Sequence, residues 1–167
     1  MKHKYETINS LNTFELHDAV IENITIECNN MIWNLYCVNI KKENSLNTYQ
    51  TDMKLGKCQL IFKNIENIKG KFWGSNTFDE NNNIISQKDD ITLKEKEIID
   101  ELKKYNEYVN DILYLKETNI GKDKYNVIID CNGYDIMSLS FDYESSIIKW
   151  NDFEDKAWYV DFNNEQQ

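Results

Sequence analysis

The feature that most constrains the fold is a series of short runs in which apolar and polar residues alternate. The segment ITIEC at 24–28 and the segment WNLYC at 33–37 both alternate, and Asn29-Asn30 stands between them. Strict alternation predicts strands with one face in the core, and asparagine tolerates the positive φ of a tight hairpin turn. The opening third is therefore predicted to contain a β-hairpin.

Similar runs continue along the chain. A third strand is predicted over 54–64, where Cys58, Leu60 and Phe62 share one face. Residues 127–131 and 137–143 alternate around Asn132-Gly133, a dipeptide typical of hairpin turns. The segments SSIIKW at 145–150 and AWYVDF at 157–162 complete the predicted strands. The likeness of ITIECNN at 24–30 to VIIDCNG at 127–133 fits either a repeated hairpin or chance in a biased composition.

One helix is predicted in the middle of the chain. Thr92 stands three residues before Glu95, the spacing of a capping box, and apolar residues then recur at helical intervals up to Val109. We expect an amphipathic helix near 93–106, although the segment from 109 fits a strand equally well. The preceding stretch, residues 75–91, is polar, rich in asparagine and without periodicity, which predicts a long loop or an insertion.

Together these elements predict an α+β protein that is mainly β. We expect about seven or eight antiparallel strands, arranged as a sandwich or wrapped against the single helix, because clean alternation indicates sheets with one solvated face. A length of 167 residues is most simply one domain, spanning 1–167.

The charge of the chain restricts its partners. All 19 basic residues are lysine and the net charge is −10, which disfavours nucleic acid and anionic membranes and favours a basic protein surface. The residues that follow Met1 lack the apolar core of a signal peptide, and the four scattered cysteines suggest reduced, mostly buried thiols. We therefore expect a cytoplasmic protein. Its abundance of Asn, Ile, Lys and Tyr is typical of AT-rich codons in a low-GC bacterium.

The pair His17-Asp18 is the first candidate for chemistry. A catalytic zinc usually takes three protein ligands, and the only other histidine is His3. A nucleophilic mechanism would need a serine, threonine or cysteine held by the histidine, and no such motif is present. We favour a turn closed by Asp18 with a local hydrogen bond from His17, no catalytic residue and no enzyme activity.

A calcium loop is the second candidate. Asp79, Asn81, Asn83 and Asp90 occupy the first, third, fifth and twelfth positions of such a loop, but the sixth position, which requires glycine, is Ile84. We expect no metal site here and no cofactor elsewhere.

The segment IIKWNDFEDKAWYVDF at 147–162 sets five aromatic residues among acids. These rings can close the core, grip a basic partner or stack on a sugar, and core closure is the favoured interpretation. Tyr159 is the ring most expected to keep its hydroxyl in solvent.

The segment FELHDAVIENITIE at 14–27 resembles the start of a group of small bacterial β-rich proteins, in which an aromatic residue and HDA precede the first strand. Several of these are assigned as predicted immunity proteins of polymorphic toxin systems. The end of the chain resembles the W-x-x-F…AWY endings of proteins from low-GC bacteria. The resemblance implies a protein that binds and blocks a toxin, with a fold signature of His17, Asp18, Ala19, Trp150 and Trp158.

We therefore expect a non-enzymatic acidic binding protein of the immunity type, with a basic toxin as its partner. The alternative is a β-domain that binds a small molecule or carbohydrate. The candidate partner-binding residues are Asp79, Glu80, Asp89, Asp90, Asp152, Glu154, Asp155 and Tyr159.

Overall fold

The computed structural model describes residues 3–107 and 110–162, with the backbone alone at 105, 161 and 162. The predicted class, α+β and mainly β, is confirmed. Every strand pairing in these ranges is antiparallel. The strand count is higher than the expected seven or eight, because many segments of only two to four residues pair locally without a run long enough to show alternation.

Sixteen strands, two α-helices and a short 3₁₀-helix (Leu11–Thr13) are present in the described ranges. The strands are β1 (Tyr5–Ile8), β2 (Phe14–Glu15), β3 (Val20–Glu27), β4 (Asn30–Tyr36), β5 (Asn39–Ile40), β6 (Met53–Leu55), β7 (Cys58–Lys63), β8 (Glu66–Phe72), β9 (Ser75–Phe78), β10 (Ile84–Lys88), β11 (Ile91–Leu93), β12 (Asn110–Gly121), β13 (Lys124–Asn132), β14 (Met137–Tyr143), β15 (Ser145–Trp150) and β16 (Phe153–Lys156). The α-helices are α1 (Glu95–Tyr105) and α2 (Tyr159–Phe162).

Ten of the strands form one large sheet in the order β1-β15-β7-β4-β3-β12-β13-β14-β8-β11. This sheet folds over on itself, since Phe62 on β7 lies 5.0 Å from Phe141 and 4.9 Å from Tyr143 on β14, measured between ring centroids. The two halves therefore face each other as an open sandwich, and their inward rows form the core. A four-stranded sheet, β16-β6-β5-β2, and a two-stranded sheet, β9-β10, complete the fold.

Both predicted hairpins form, with different turns. Between β3 and β4 the turn residues are Cys28 and Asn29, with φ of 48° and 60°, one position earlier than the expected Asn29-Asn30. Between β13 and β14 the connection runs over residues 133–136, so that Asn132 is still in the strand. The two segments that resemble each other thus place their cysteines differently, with Cys28 exposed in a turn and Cys131 buried in a strand.

Residues 75–91 are predicted from the sequence to form a long loop or an insertion, and the loop alternative is wrong. β9 and β10 pair there as a hairpin, with Phe78 opposite Ile84, and all of their residues are exposed. Without a buried face, the sequence carries no alternation. Gly74 stands at the base of this hairpin, where a Cβ atom would collide with the carbonyl oxygen of Lys88.

The predicted helix is confirmed with a later start. Thr92 belongs to β11, so it cannot cap the helix, and the expected Thr92–Glu95 capping box is wrong. Lys94 precedes the helix instead, and its backbone N–H donates to Glu97 Oε2 at 2.7 Å. Ile98 and Leu102 are buried as the periodicity predicts. The side chain of Tyr105 and residue Val109 lie outside the described residues.

The end of the chain also differs from the prediction. The segment 157–162, expected as a strand, contains α2, and the strand that closes the small sheet is β16 just before it. All four cysteines are free, but only Cys58 and Cys131 are buried. None of the helices in the described ranges has the length and apolar character needed to cross a bilayer.

Candidate functional site

The HDA segment is a turn that carries the chain from the small sheet to the large one. β2 ends at Glu15, and β3 begins at Val20. Asp18 has a φ of 64°, a left-handed conformation that aspartate tolerates better than most residues. Ala19, the next residue, is fully buried. The favoured interpretation of the pair as a turn agrees with this geometry.

Backbone bonds anchor this turn to β12. The N–H of Asp18 donates to the carbonyl of Ile112 at 2.9 Å, and the N–H of Ile112 donates to the carbonyl of Ala19 at 2.9 Å. In the described ranges, the register between β12 and β3 has only two further residue pairs, Asn110 with Ile21 and Asp111 with Val20. The turn therefore marks the point at which β3 and β12 separate.

The side chain of His17 contributes little to this anchoring. Its Nδ1 lies 3.0 Å from Asp18 Oδ2, and both side chains are about half exposed, at 53% and 52%. The N–H of His17 donates to Glu15 Oε1 at 3.1 Å. His17 stands at the margin of a cleft of about 410 Å³ between β2 and β12, whose charged lining groups are Glu15, His17, Lys41, Lys116 and Glu117.

The aromatic residues near the C-terminus fall into two groups. Trp150 is fully buried, stacks on Tyr5 at 5.3 Å between centroids and meets Phe14 edge-on at 5.8 Å. Trp158 is 54% exposed and meets Tyr159 edge-on at 5.5 Å. Trp150 is therefore part of the core, as the favoured interpretation expects, whereas Trp158 is not. The side chain of Phe162 lies outside the described residues.

The expectation that Tyr159 keeps its hydroxyl in solvent is wrong. That hydroxyl donates to Asp52 Oδ2 at 2.8 Å, while Asp52 Oδ1 accepts the N–H of Lys42 at 2.9 Å. Burial raises the pKa of Tyr159 above its usual range, and the bond to Asp52 and the negative charges of Glu15 and Glu43 raise it further. Tyr159 is thus a tie between α2 and the loop before β6.

The first acidic zone comprises Asp79, Glu80, Asp89 and Asp90, on the β9–β10 hairpin and its flanks. Asp79 Oδ2 accepts the side-chain amide of Asn83 at 2.9 Å, and its Oδ1 accepts the N–H groups of Asn83 and Asn81, each at 2.8 Å. These bonds close the hairpin loop and lower the pKa of the Asp79 carboxyl.

Asp90 is tied inward as well. Its carboxylate lies 2.6 Å from Lys71 Nζ and accepts the N–H of Gly74 at 2.8 Å. These bonds lower the pKa of Asp90. Glu80 and Asp89 are the exposed members that remain available, since Glu80 has no side-chain partner among the described residues and Asp89 has only a 3.4 Å bond from Gln87.

The second acidic zone comprises Asp152, Glu154 and Asp155, on and beside β16. Glu154 pairs with Lys54 on the neighbouring strand β6 at 3.0 Å. Asp155 accepts only the N–H of Lys156 at 2.7 Å, and the exposed carboxylate of Asp152 makes no hydrogen bond within the described ranges. Asp152 and Asp155 are therefore available to a partner.

The two zones lie on different sheets, and no strand pairing joins those sheets in the described ranges. A third acidic region lies around Tyr159 and consists of Asp52, Glu15 and Glu43. The sequence did not indicate this region. These residues are scattered over the first 52 positions, so nothing in the sequence links them. No group of three or more histidine, cysteine or acidic side chains suited to a metal ion occurs in residues 3–107 and 110–162.

Comparison of the chain with protein-family models, curated proteins and solved structures finds no significant match.

Proposed function

We propose that this protein is a non-enzymatic, acidic binding protein of the cytoplasm and acts as an immunity-type inhibitor of a basic toxin. The observation that carries the proposal is the net charge of −10 together with exposed carboxylates in both predicted zones that make at most one hydrogen bond among the described residues. Long-range attraction of this kind speeds encounter with a basic protein and has its largest effect at low salt.

The eight candidate residues divide into structural ties and available contacts. Asp79, Asp90, Glu154 and Tyr159 are engaged in the internal bonds described above, so they are less available to a partner. The residues that contact the partner are therefore Glu80, Asp89, Asp152 and Asp155. A nuclease is the toxin class that best fits this charge, because its active site must attract phosphate.

Association with the products of neighbouring genes tests the proposal. Each product is co-expressed with the chain in an inactive form, and the association rate of any complex is measured against ionic strength. We expect the rate to fall steeply with salt, and to fall several-fold at low salt in E80Q/D89N or D152N/D155N.

The matched control is E27Q/D123N, which removes the same number of charges at two hairpin turns outside both zones. An asparagine can keep the positive φ of Asp123, so this control preserves the backbone. If no neighbouring product binds, or if the control slows association as much as the zone variants do, the proposal fails.

A small molecule or carbohydrate is the second candidate ligand, on the strength of the cleft beside His17 and the exposed ring of Trp158. The cleft volume of about 410 Å³ lies within the range of small-molecule sites. A thermal-shift screen with sugars and nucleotides separates the two candidates. A ligand that raises Tm, and that no longer does so in W158A or H17A, would favour this function over the first.

A further inference from the structure

Among the described residues, β12 has a long edge without a partner strand, and this edge borders the cleft beside His17. On one side it pairs with β13 from Asp111 to Gly121. On the other side, pairing with β3 is limited to Asn110 and Asp111, and the last backbone bonds are those of Ile112 with the HDA turn. From residue 113 to residue 121, no described backbone group pairs with this outer edge. The open edge is roughly 30 Å long at about 3.4 Å per residue.

The edge opens because the chain turns away at Asp18. Continuation of β3 backwards past Ala19 would place residues 14–18 alongside 113–117. The left-handed conformation of Asp18 instead sends β2 into the small sheet, where it pairs with β5. The space left between β2 and β12 is the cleft.

The regular part of the edge is bounded by irregularities. Register shifts occur between Ile112 and Tyr114 and between Asn119 and Gly121, while the pairing from Tyr114 to Asn119 is continuous. Bulges and charged side chains are the usual means by which proteins limit edge-to-edge aggregation. Six regular residues remain, from Tyr114 to Asn119, and an exposed regular edge is the feature that strand addition uses.

We propose that the edge of β12 from 114 to 119 binds an extended segment of a partner protein as an added antiparallel strand. The charges on β12 determine which charged residues that segment should carry. Both Lys116 and Glu117 line the cleft, and alternation along the strand puts their side chains on opposite faces of the sheet. Glu117 is half-buried and its carboxylate accepts the hydroxyl of Tyr143, whereas Lys116 is exposed. Oppositely charged residues directly across a strand pair stabilise it, so the segment carries a basic residue opposite Glu117 followed by an acidic residue opposite Lys116.

The other charged residues of the cleft favour a basic side chain of the bound segment on the face of the sheet that carries Glu117. Glu15 lines the opposite wall, while the amine of Lys41 is engaged by the carbonyl of Asn12 at 3.1 Å. Phe14 and Leu16 also line the cleft and form an apolar part of its wall, although little of either residue is exposed.

A second copy of this chain matches these charges less well. Two strands paired about a two-fold axis place residues of the same sheet face opposite each other. Lys116 of one copy can then face Lys116, and Glu117 can face Glu117, but Lys116 never faces Glu117. The partner segment therefore belongs to a different protein.

Amide hydrogen exchange of the full chain, followed by NMR, tests the proposal with two synthetic peptides. The first is Val-Thr-Lys-Glu-Val-Thr, written in the direction antiparallel to β12, and the second is Val-Thr-Glu-Lys-Val-Thr, with the same composition. We expect the first peptide to protect alternate amides between 114 and 119, and to bind at least several-fold more tightly than the second. K116E should abolish this preference, and K96E, which makes the same charge change on α1, should retain it.

Three results would overturn the proposal. No protection of these amides by either peptide at millimolar concentration would mean that the edge does not accept a strand. Equal binding of the two peptides would show that the charges of Lys116 and Glu117 do not select the sequence of the bound segment. Protection that depends on protein concentration without any peptide would identify a second copy as the occupant. Because the peptides replace any natural partner, none of these results bears on the charge-driven association proposed above.

Discussion

Phe14 packs edge-on against Trp150, with 5.8 Å between ring centroids. Phe14 opens the segment that contains HDA, and Trp150 opens the W-x-x-F segment near the other end of the chain. β2 and β16, which belong to these two segments, are the two edges of the four-stranded sheet. Phe14 and Trp150 therefore join the two terminal segments in one packing unit.

Replacement of Trp150 tests this unit. We expect Trp150→Ala to lower the free energy of unfolding by about 3–5 kcal/mol, because the ring is fully buried and leaves a large cavity. Trp158→Ala is the matched control, and its cost should stay below about 1 kcal/mol because that ring is exposed. Urea denaturation measures both values. Equal costs for the two variants would contradict the assignment of Trp150 to the core.

The backbone of Asp18, more than its side chain, should determine the stability of the HDA turn. We expect Asp18→Gly and Asp18→Asn to be nearly neutral, and Asp18→Val to cost about 1–2 kcal/mol, because a β-branched residue is strained at a φ of 64°. His17→Ala should cost less than about 1 kcal/mol, since its ion pair with Asp18 is half exposed. Thermal unfolding of the four variants checks this order. If His17→Ala lowered the stability more than Asp18→Val does, the side chain of His17 would matter more to the turn than the backbone of Asp18.

Elements with a buried face could be predicted from the sequence, because burial imposes the alternation that identifies a strand. Phe62 and Phe141 meet across the core, and both stand in runs that predict strands. β9 and β10 have no buried residue, so their hairpin left no pattern to find. Similarly, α2 has only four residues, fewer than a helical periodicity needs.

The candidate site could be predicted only in part, for a related reason. The acids at 79–90 and 152–155 are visible as local clusters, but the sequence does not show which of them are bonded internally. Asp52 and Tyr159 are 107 positions apart, and their hydrogen bond depends on the pairing of β6 with β16. The open edge of β12 likewise follows from the separation of β3 and β12 at the HDA turn, which is a property of the assembled sheet.

Gly70 on β8 allows helix α1 to approach the sheet. A Cβ atom at this position would lie 2.9 Å from Cγ1 of Ile98, which is fully buried. We expect Gly70→Ala to cost about 1–3 kcal/mol through overpacking. Ile98→Val should cost about 0.5–1.5 kcal/mol alone.

Combination of these two substitutions distinguishes steric crowding from a general loss of strand stability. In the double variant, the removal of a methyl group from residue 98 gives the new Cβ more space, so the total cost should be smaller than the sum of the single costs. Urea denaturation of the three variants provides the cycle. Additive costs would show that Gly70 is needed for a reason other than its contact with Ile98.

Asp90 should make the stability of the protein depend on pH on the acid side. The hydrogen bond and charge of Lys71, together with the N–H of Gly74, lower the pKa of Asp90 in the folded state. The unfolded chain, with an aspartate pKa of about 3.9, then binds more protons as the pH falls. The contribution of Asp90 is therefore present above about pH 4 and is lost as the pH falls through its lower folded-state pKa.

Asp90→Asn should remove this contribution, so the stability difference from the wild type should be small near about pH 2 and reach its maximum above about pH 5. Asp89→Asn is the matched control, since Asp89 has only the long bond from Gln87. Urea denaturation across this pH range gives the difference, and the NMR shift of the Gly74 amide reports the local event. A difference that is constant with pH, or largest at low pH, would contradict the role of Asp90 at the base of the hairpin.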